Sequence, residues 1–352
     1  MRKRQPVHVL YGGGHLFKAG STQKLGKIAL ASLERQLPSA STLVSTFGIS
    51  TNLAEAVYPQ LRRKLETEPI EEIRIDFEDG YGQRADAEED GHAAVAAKAL
   101  AADHLPPFLG LRIRALQPAT ERRALRTLEI FLQNAALLPP GFVVTLPKIE
   151  SPDEVARLLR NLPEGVGIEL MIETTQALDC LPELVAAGAG RVTAAHFGPY
   201  DFLSSCGITA VKESLQHPLC TAARTRMLFA YARTGISLSD GPTKELPLGD
   251  APQAPLLTHF RNVQMAIQYG FYQGWDLHPA QLPARYAALF TYFLEDAPAY
   301  AERLKNFQAA AGQATRIGQQ FDDQASIQGL QKFFERAVQC GAMTASEVAG
   351  LL

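Results

Sequence analysis

The sequence predicts an α/β protein, a (β/α)8 TIM barrel with an insertion in its first βα unit and a helical C-terminal extension. Three observations carry this. Eight short β-like runs alternate with longer helical patterns, the signal of parallel βα units. The runs repeatedly place charges on one face near their C-terminal ends, whereas strands of a doubly wound sheet are apolar on both faces. The 352 residues suffice for one barrel plus an appendage.

In chain order the runs are Val7 to Tyr11, Glu72 to Phe77, Phe108 to Ala115, Phe142 to Ile149, Ile168 to Ile172, Val192 to Phe197, Ile236 to Ser239 and Gly274 to His278. After the first, helices around Lys24 to Leu37 and Leu53 to Leu65 fill an unusually long connection, with the insertion at about 38–70. Ser151-Pro152-Asp153-Glu154 reads as a capping box with proline at the first helical position. Leu256, Phe260, Val263 and Ile267 repeat at helical spacing and stop near Gly270. The predicted catalytic barrel spans 1–285, and 286–352 form a helical extension that includes Ile327 to Cys340 and a last turn opened by Thr344-Ala-Ser-Glu347.

Polarity assigns the faces. Arg74, Asp76 and Glu78 share one in the second run, Arg112 and Arg114 in the third, Glu169 and Glu173 in the fifth, and Asp276 and His278 in the eighth. Their alternates Ile73, Ile75, Phe77, Leu111, Ile113, Leu170 and Ile172 are expected to pack under the outer helices.

Composition narrows the function classes. With 34 basic against 37 acidic residues and a net charge of -3, no basic field recruits nucleic acid or an anionic membrane, so a small-molecule partner is expected. No apolar run approaches the roughly 20 residues of a membrane span; Ala93 to Ala102 is interrupted by Lys98. The basic start Met1-Arg-Lys-Arg-Gln-Pro6 lacks a following apolar segment, and Cys180, Cys206, Cys220 and Cys340 form no C-x-x-C pair; both favour a cytoplasmic protein with reduced thiols.

Catalytic groups of a TIM barrel sit at the C-terminal ends of its strands, so the charged run ends share one mouth. Glu173 closes the fifth run and Asp201 follows the sixth in His196-Phe-Gly-Pro-Tyr-Asp201. Adjacent strands lie about 5 Å apart, which lets two carboxylates meet on one hard cation that keeps waters, Mg2+ or Mn2+. The alternative is that Glu173 pairs with Arg112 or Lys148 inside the barrel.

Six segments, Phe77-Glu-Asp-Gly80, Leu111-Arg-Ile-Arg114, Leu146-Pro-Lys-Ile-Glu-Ser151, Met171-Ile-Glu-Thr174, Phe197-Gly-Pro-Tyr-Asp201 and Leu277-His-Pro-Ala-Gln281, occur in this order across roughly residues 70 to 285. Together they resemble the motifs of the citrate lyase beta-subunit and hydroxy-acid aldolase family, in a divergent subgroup. The resemblance implies a phosphoenolpyruvate/pyruvate-type barrel, Mg2+ on Glu173 and Asp201, and Arg112 as the arginine that clamps a substrate carboxylate. Arg114 stands where the family often has asparagine, and Leu10-Tyr-Gly-Gly-Gly-His15 departs from the family's usual opening.

Glu78 or Asp79 is expected to position Arg112 or a metal-bound water, the alternative being ion pairs with Arg74 and Arg114. His278, in the His-Pro motif, is a candidate base or a loop hydrogen-bonding residue. Asp240, in Ser239-Asp-Gly-Pro242, and Pro199 are expected to shape the substrate pocket. The glycines before His15 lack the lysine and spacing of a phosphate loop; they read as a tight strand exit, with His15 a further site candidate or a capping residue. Phe321-Asp-Asp-Gln324 lies where some relatives supply a residue to the site, Asp322 or Asp323 being otherwise a helix cap.

The expected function is Mg2+-dependent cleavage of a carbon-carbon bond in a hydroxy acid or its CoA thioester through a stabilised enolate. Thioester hydrolysis on the same barrel and non-catalytic oxo-acid binding are the competing readings. The resemblance also implies a homo-oligomer, trimer or hexamer.

Overall fold

The computed structural model describes residues 4–101, 104–309, 315–317 and 320–352. Met1 to Lys3, Ala102 and the side chains of Phe321 and Asp322, all considered above, lie outside the described residues.

Eight parallel strands close into a barrel in chain order. They are β1 His8–Gly13, β2 Glu72–Asp76, β3 Phe108–Arg112, β4 Val143–Leu146, β5 Gly167–Ile172, β6 Val192–Phe197, β7 Ser237–Asp240 and β8 Gln273–Asp276. Two predicted runs extend three residues too far. β3 stops at Arg112 rather than Ala115, and β4 at Leu146 rather than Ile149, where Pro147 has no N–H for a ladder and Lys148 takes a φ of 50°.

Laterally paired residues of a parallel barrel point the same way, so the ladder fixes which side chains enter it. Arg74 pairs with Gly110, Asp76 with Arg112, Arg112 with Thr145 and Thr145 with Glu169. These point inward, as polarity predicted. The barrel centre is charged: Arg74 donates to Glu72 at 2.6 Å and to Glu169 at 2.5 Å, and Thr145 donates to Glu169 at 3.0 Å. Gly110 makes room, because a Cβ there would lie 1.8 Å from Arg74 Nη1.

Two polarity assignments fail. His196 pairs with Ser239, and Ser239 with Gln273, so Gln273 and Trp275 point inward while Asp240 and Asp276 point to the helices. Asp276 accepts from Arg285 Nε at 2.6 Å and sits 2.9 Å from His259 Nε2, both on outer helices. A buried carboxylate with charged partners satisfies the helix side as well as the lumen.

The first βα connection holds three helices, Ser21–Gln36, Ala40–Phe47 and Thr51–Thr67; the middle one escaped the sequence reading. The third packs on the 28-residue helix Leu282–Ala309, which opens the C-terminal extension. A short antiparallel pair, Thr315–Ile317 with Gln320–Asp322, leads to the helices Gln324–Gln339 and Ala345–Leu351. The Thr344 to Glu347 capping box forms, but Ser151 makes no side-chain cap bond; Glu154 instead accepts from the Glu150 N–H at 2.9 Å. Among the described residues no helix is long and apolar enough to cross a membrane, and the four cysteines are free thiols.

Candidate active site

The floor of the mouth is Arg112. Asp76 accepts from its Nε and Nη2, both at 2.6 Å, and the guanidinium lies 4.7 Å from the Tyr11 ring centre and 5.3 Å from that of Trp275. Asp76 also organises the loop after β2, since its oxygens accept from the N–H groups of Glu78 at 2.9 Å and Gly80 at 2.7 Å. One edge of the Arg112 fork is therefore held by protein. Its Nη1, 3.3 Å from Glu78, faces that loop.

Glu78 and Asp79 do not meet Arg74 or Arg114. They converge on Lys148, whose ammonium ion-pairs with Glu78 and lies 3.0 Å from Asp79. Arg114 turns instead to Glu89 at 2.8 Å and the Gly82 carbonyl at 3.0 Å. Burial pushes the Glu78 carboxyl up to about 7 despite the opposing charge of Arg112, whereas Asp79 is lowered, chiefly by its bond to Glu78, although burial opposes this.

Glu173 follows β5 and is 2% exposed. Its Oε1 accepts from the backbone N–H of Lys148 at 2.7 Å, so neither expected side-chain pairing forms as a direct contact. Burial and then the charge of Asp201 push Glu173 up to about 8. Asp201 sits in the first turn of the helix Pro199–Ser205, on the exposed rim of the mouth; the partial desolvation there, with the charges of Asp79 and Glu213, raises its carboxyl against those of Lys148 and Arg112. The chain passes close to Glu173 at Gly198, where a Cβ would lie 2.4 Å from Oε2.

Two carboxylates near enough that the charge of Asp201 raises Glu173 are a donor set suited to a hard divalent cation, which would offset their repulsion. Among the described residues no group of three or more His, Cys, Asp or Glu is arranged around a metal position, so such an ion would keep several water ligands.

The remaining candidates lie elsewhere. Asp240 points to the helix layer and accepts from Arg224 Nε at 2.9 Å, a correction to its expected place in the pocket. Pro199 is buried under Gly241, whose Cβ would lie 2.2 Å from the proline ring. His278 caps the turn Pro279–Gln281: its Nδ1 accepts from the Ala280 N–H at 3.1 Å, and burial alone lowers its pKa. His15 packs against Tyr81 and His92, with ring centres 5.5 and 5.9 Å away. Gly14 permits that turn, because a Cβ would lie 2.4 Å from the Phe77 ring. Asp323 caps the helix Gln324–Gln339 through the Ser326 N–H at 2.9 Å.

Sequence reasoning named Lys148 only as an alternative partner of Glu173, and gave no place to Tyr11 and Trp275, whose rings lie against Arg112. Lys148 was present in the Leu146-Pro-Lys motif, and the proline before it marks the strand end that turns it into the mouth.

Solved structures share the fold. A citrate lyase from Burkholderia xenovorans LB400 is 23% identical, with a TM-score of 0.68 over 99% of this chain and 96% of that one. A CitE protein from Mycobacterium tuberculosis, in complex with magnesium, acetoacetate and coenzyme A, is 17% identical, with a TM-score of 0.62 over 96% of this chain and 99% of that one. A citrate lyase beta subunit from the same organism, complexed with oxaloacetate and magnesium, is 18% identical, with a TM-score of 0.53 over 82% and 99%. The resemblance read from the six motifs is thus borne out in the fold. No curated protein matches the sequence. The family described as a domain of unknown function, DUF6986, matches residues 1–352, from one end of the chain to the other, and the chain belongs to that family.

Proposed function

We propose that this chain is a Mg2+-dependent carbon-carbon lyase acting on a small hydroxy acid or its CoA thioester, in the manner of an aldolase or a citrate or malyl-CoA lyase. The observation that carries the reading is that the charge of Asp201, in the first turn after β6, acts on the buried Glu173 after β5, beside Arg112 and Lys148. Glu173 and Asp201 would hold the ion, Mg2+ or Mn2+. When bound, it supplies a Lewis acid that stabilises the enolate charge developing as a carbon-carbon bond breaks.

The chain's own residues do the rest. Lys148 fixes Glu173 through its N–H, and with Arg112 it offers positive charge to an acidic substrate. Asp76 prevents Arg112 from swinging. The two M. tuberculosis proteins, which hold magnesium with oxaloacetate or acetoacetate, support a small oxo acid as ligand class.

One observation favours a second reading, a non-catalytic oxo-acid-binding protein: the His278 ring nitrogen Nδ1 is spent on a cap. Incubation with Mg2+ and a panel of 2-hydroxy acids, with and without CoA esters, separates the two. Oxo-acid release establishes the lyase; free thiol without oxo acid indicates a thioester hydrolase; tight oxo-acid binding without turnover supports the second reading.

A further inference from the structure

The mouth carries four carboxylates, Glu78, Asp79, Glu173 and Asp201, against the cations Arg112 and Lys148. Arg112 is already committed to Asp76 through two bonds. Lys148 is therefore the main positive charge left to offset those carboxylates above the floor. Its place is built by an uncommon backbone: φ is 50°, in the left-handed region that side chains other than glycine seldom adopt. That conformation lets one residue act in two directions. Its N–H donates to Glu173 at 2.7 Å, while its ammonium pairs with Glu78 and sits 3.0 Å from Asp79. Its charge also acts on Asp201.

We propose that Lys148 is a positioning and selectivity residue with two separable roles: its backbone orients Glu173, and its ammonium weakens cation binding in order to admit an anionic acid. The proposal rests on the function argued above, and it makes a prediction of opposite signs. Lys148→Met keeps the N–H and removes the charge. Mg2+ should then bind tighter, on the order of tenfold, and oxalate weaker by a similar factor. A residue needed only for folding would lower both.

The test is calorimetric titration of the full chain with MgCl2, and then with oxalate at saturating Mg2+, for wild type, Lys148→Met and Lys148→Arg. The arginine variant keeps the charge and should stay near wild type in both titrations. Loss of both affinities in Lys148→Met, or no change in either, overturns the proposal. If wild type binds no Mg2+, the metal reading itself fails. In that case a gain of Mg2+ binding in Lys148→Met still supports the role of the charge, and no gain overturns it. Single-tryptophan fluorescence of Trp275, which lies against Arg112, reports whether each variant keeps the native floor.

Discussion

Asp76 grips Arg112 side-on, with both oxygens 2.6 Å from the guanidinium nitrogens, and both residues are at most 1% exposed. A buried pair of this kind is costly to break because the surviving charge has no water to return to. Asp76→Asn should destabilise the chain by about 3 kcal/mol or more. Urea unfolding at neutral pH measures it, and a cost near zero would show that Glu78 can replace Asp76 as the partner of Arg112.

Glu173→Gln probes the proposed cation site directly. It removes a carboxylate whose ionisation is opposed by burial and by Asp201, so the folded chain should be no less stable. Mg2+ affinity should fall by more than about a hundredfold, because a neutral amide would replace one of the two charged ligands proposed for the ion. Calorimetry decides it, and unchanged affinity removes Glu173 from the site.

Gly198→Ala approaches the same carboxylate from behind. The new Cβ would meet Glu173 Oε2 at 2.4 Å and Glu173 Cβ at 2.5 Å, so the side chain must move. A cost of about 1–3 kcal/mol in stability is expected, with a parallel loss of Mg2+ affinity. Stability loss alone would mean that Glu173 retains its place and the backbone of β6 yields.

Asp240 supplies the contrasting case. It pairs with Arg224 beneath the helix layer, so Asp240→Asn should cost about 3 kcal/mol in stability and leave oxalate and Mg2+ affinities unchanged. Weakened ligand binding in a folded Asp240→Asn protein would return this residue to the pocket.

Most of the barrel was legible because its signals are local. Alternation exposed β2, β3 and β5, and strand-end charges located Arg112, Glu173 and Asp201. The errors arose where polarity stood in for geometry. Asp240 and Asp276 are polar on the helix side because Arg224, Arg285 and His259 reach them from the helices that flank β7 and β8, and no pattern within either strand records those partners. Lys148 was hidden differently. Its importance comes from a left-handed backbone that points its N–H at Glu173 and its ammonium at Glu78, and sequence does not display φ.

The helix-side cluster around Asp276 also predicts a pH dependence. His8 is fully buried on β1, and its Nε2 accepts from the Glu71 N–H at 2.9 Å. Desolvation lowers its pKa from 6.5 to about 4; the charges of Asp276 and Glu71 oppose this, and those of Arg285 and Lys64 assist it. The unfolded chain therefore binds this proton more readily than the folded one. The contribution of His8 is complete above pH 6.5 and declines as pH falls to about 4, amounting to about 3 kcal/mol across that window. His8→Asn keeps an acceptor for the Glu71 N–H but cannot titrate, so on going from pH 7 to pH 5 the variant should lose less of its urea midpoint than wild type does. Equal pH slopes in the two proteins would place the titrating group elsewhere, with Asp276 as the next candidate only below the ordinary carboxylate range, because Arg285 and His259 hold its pKa down.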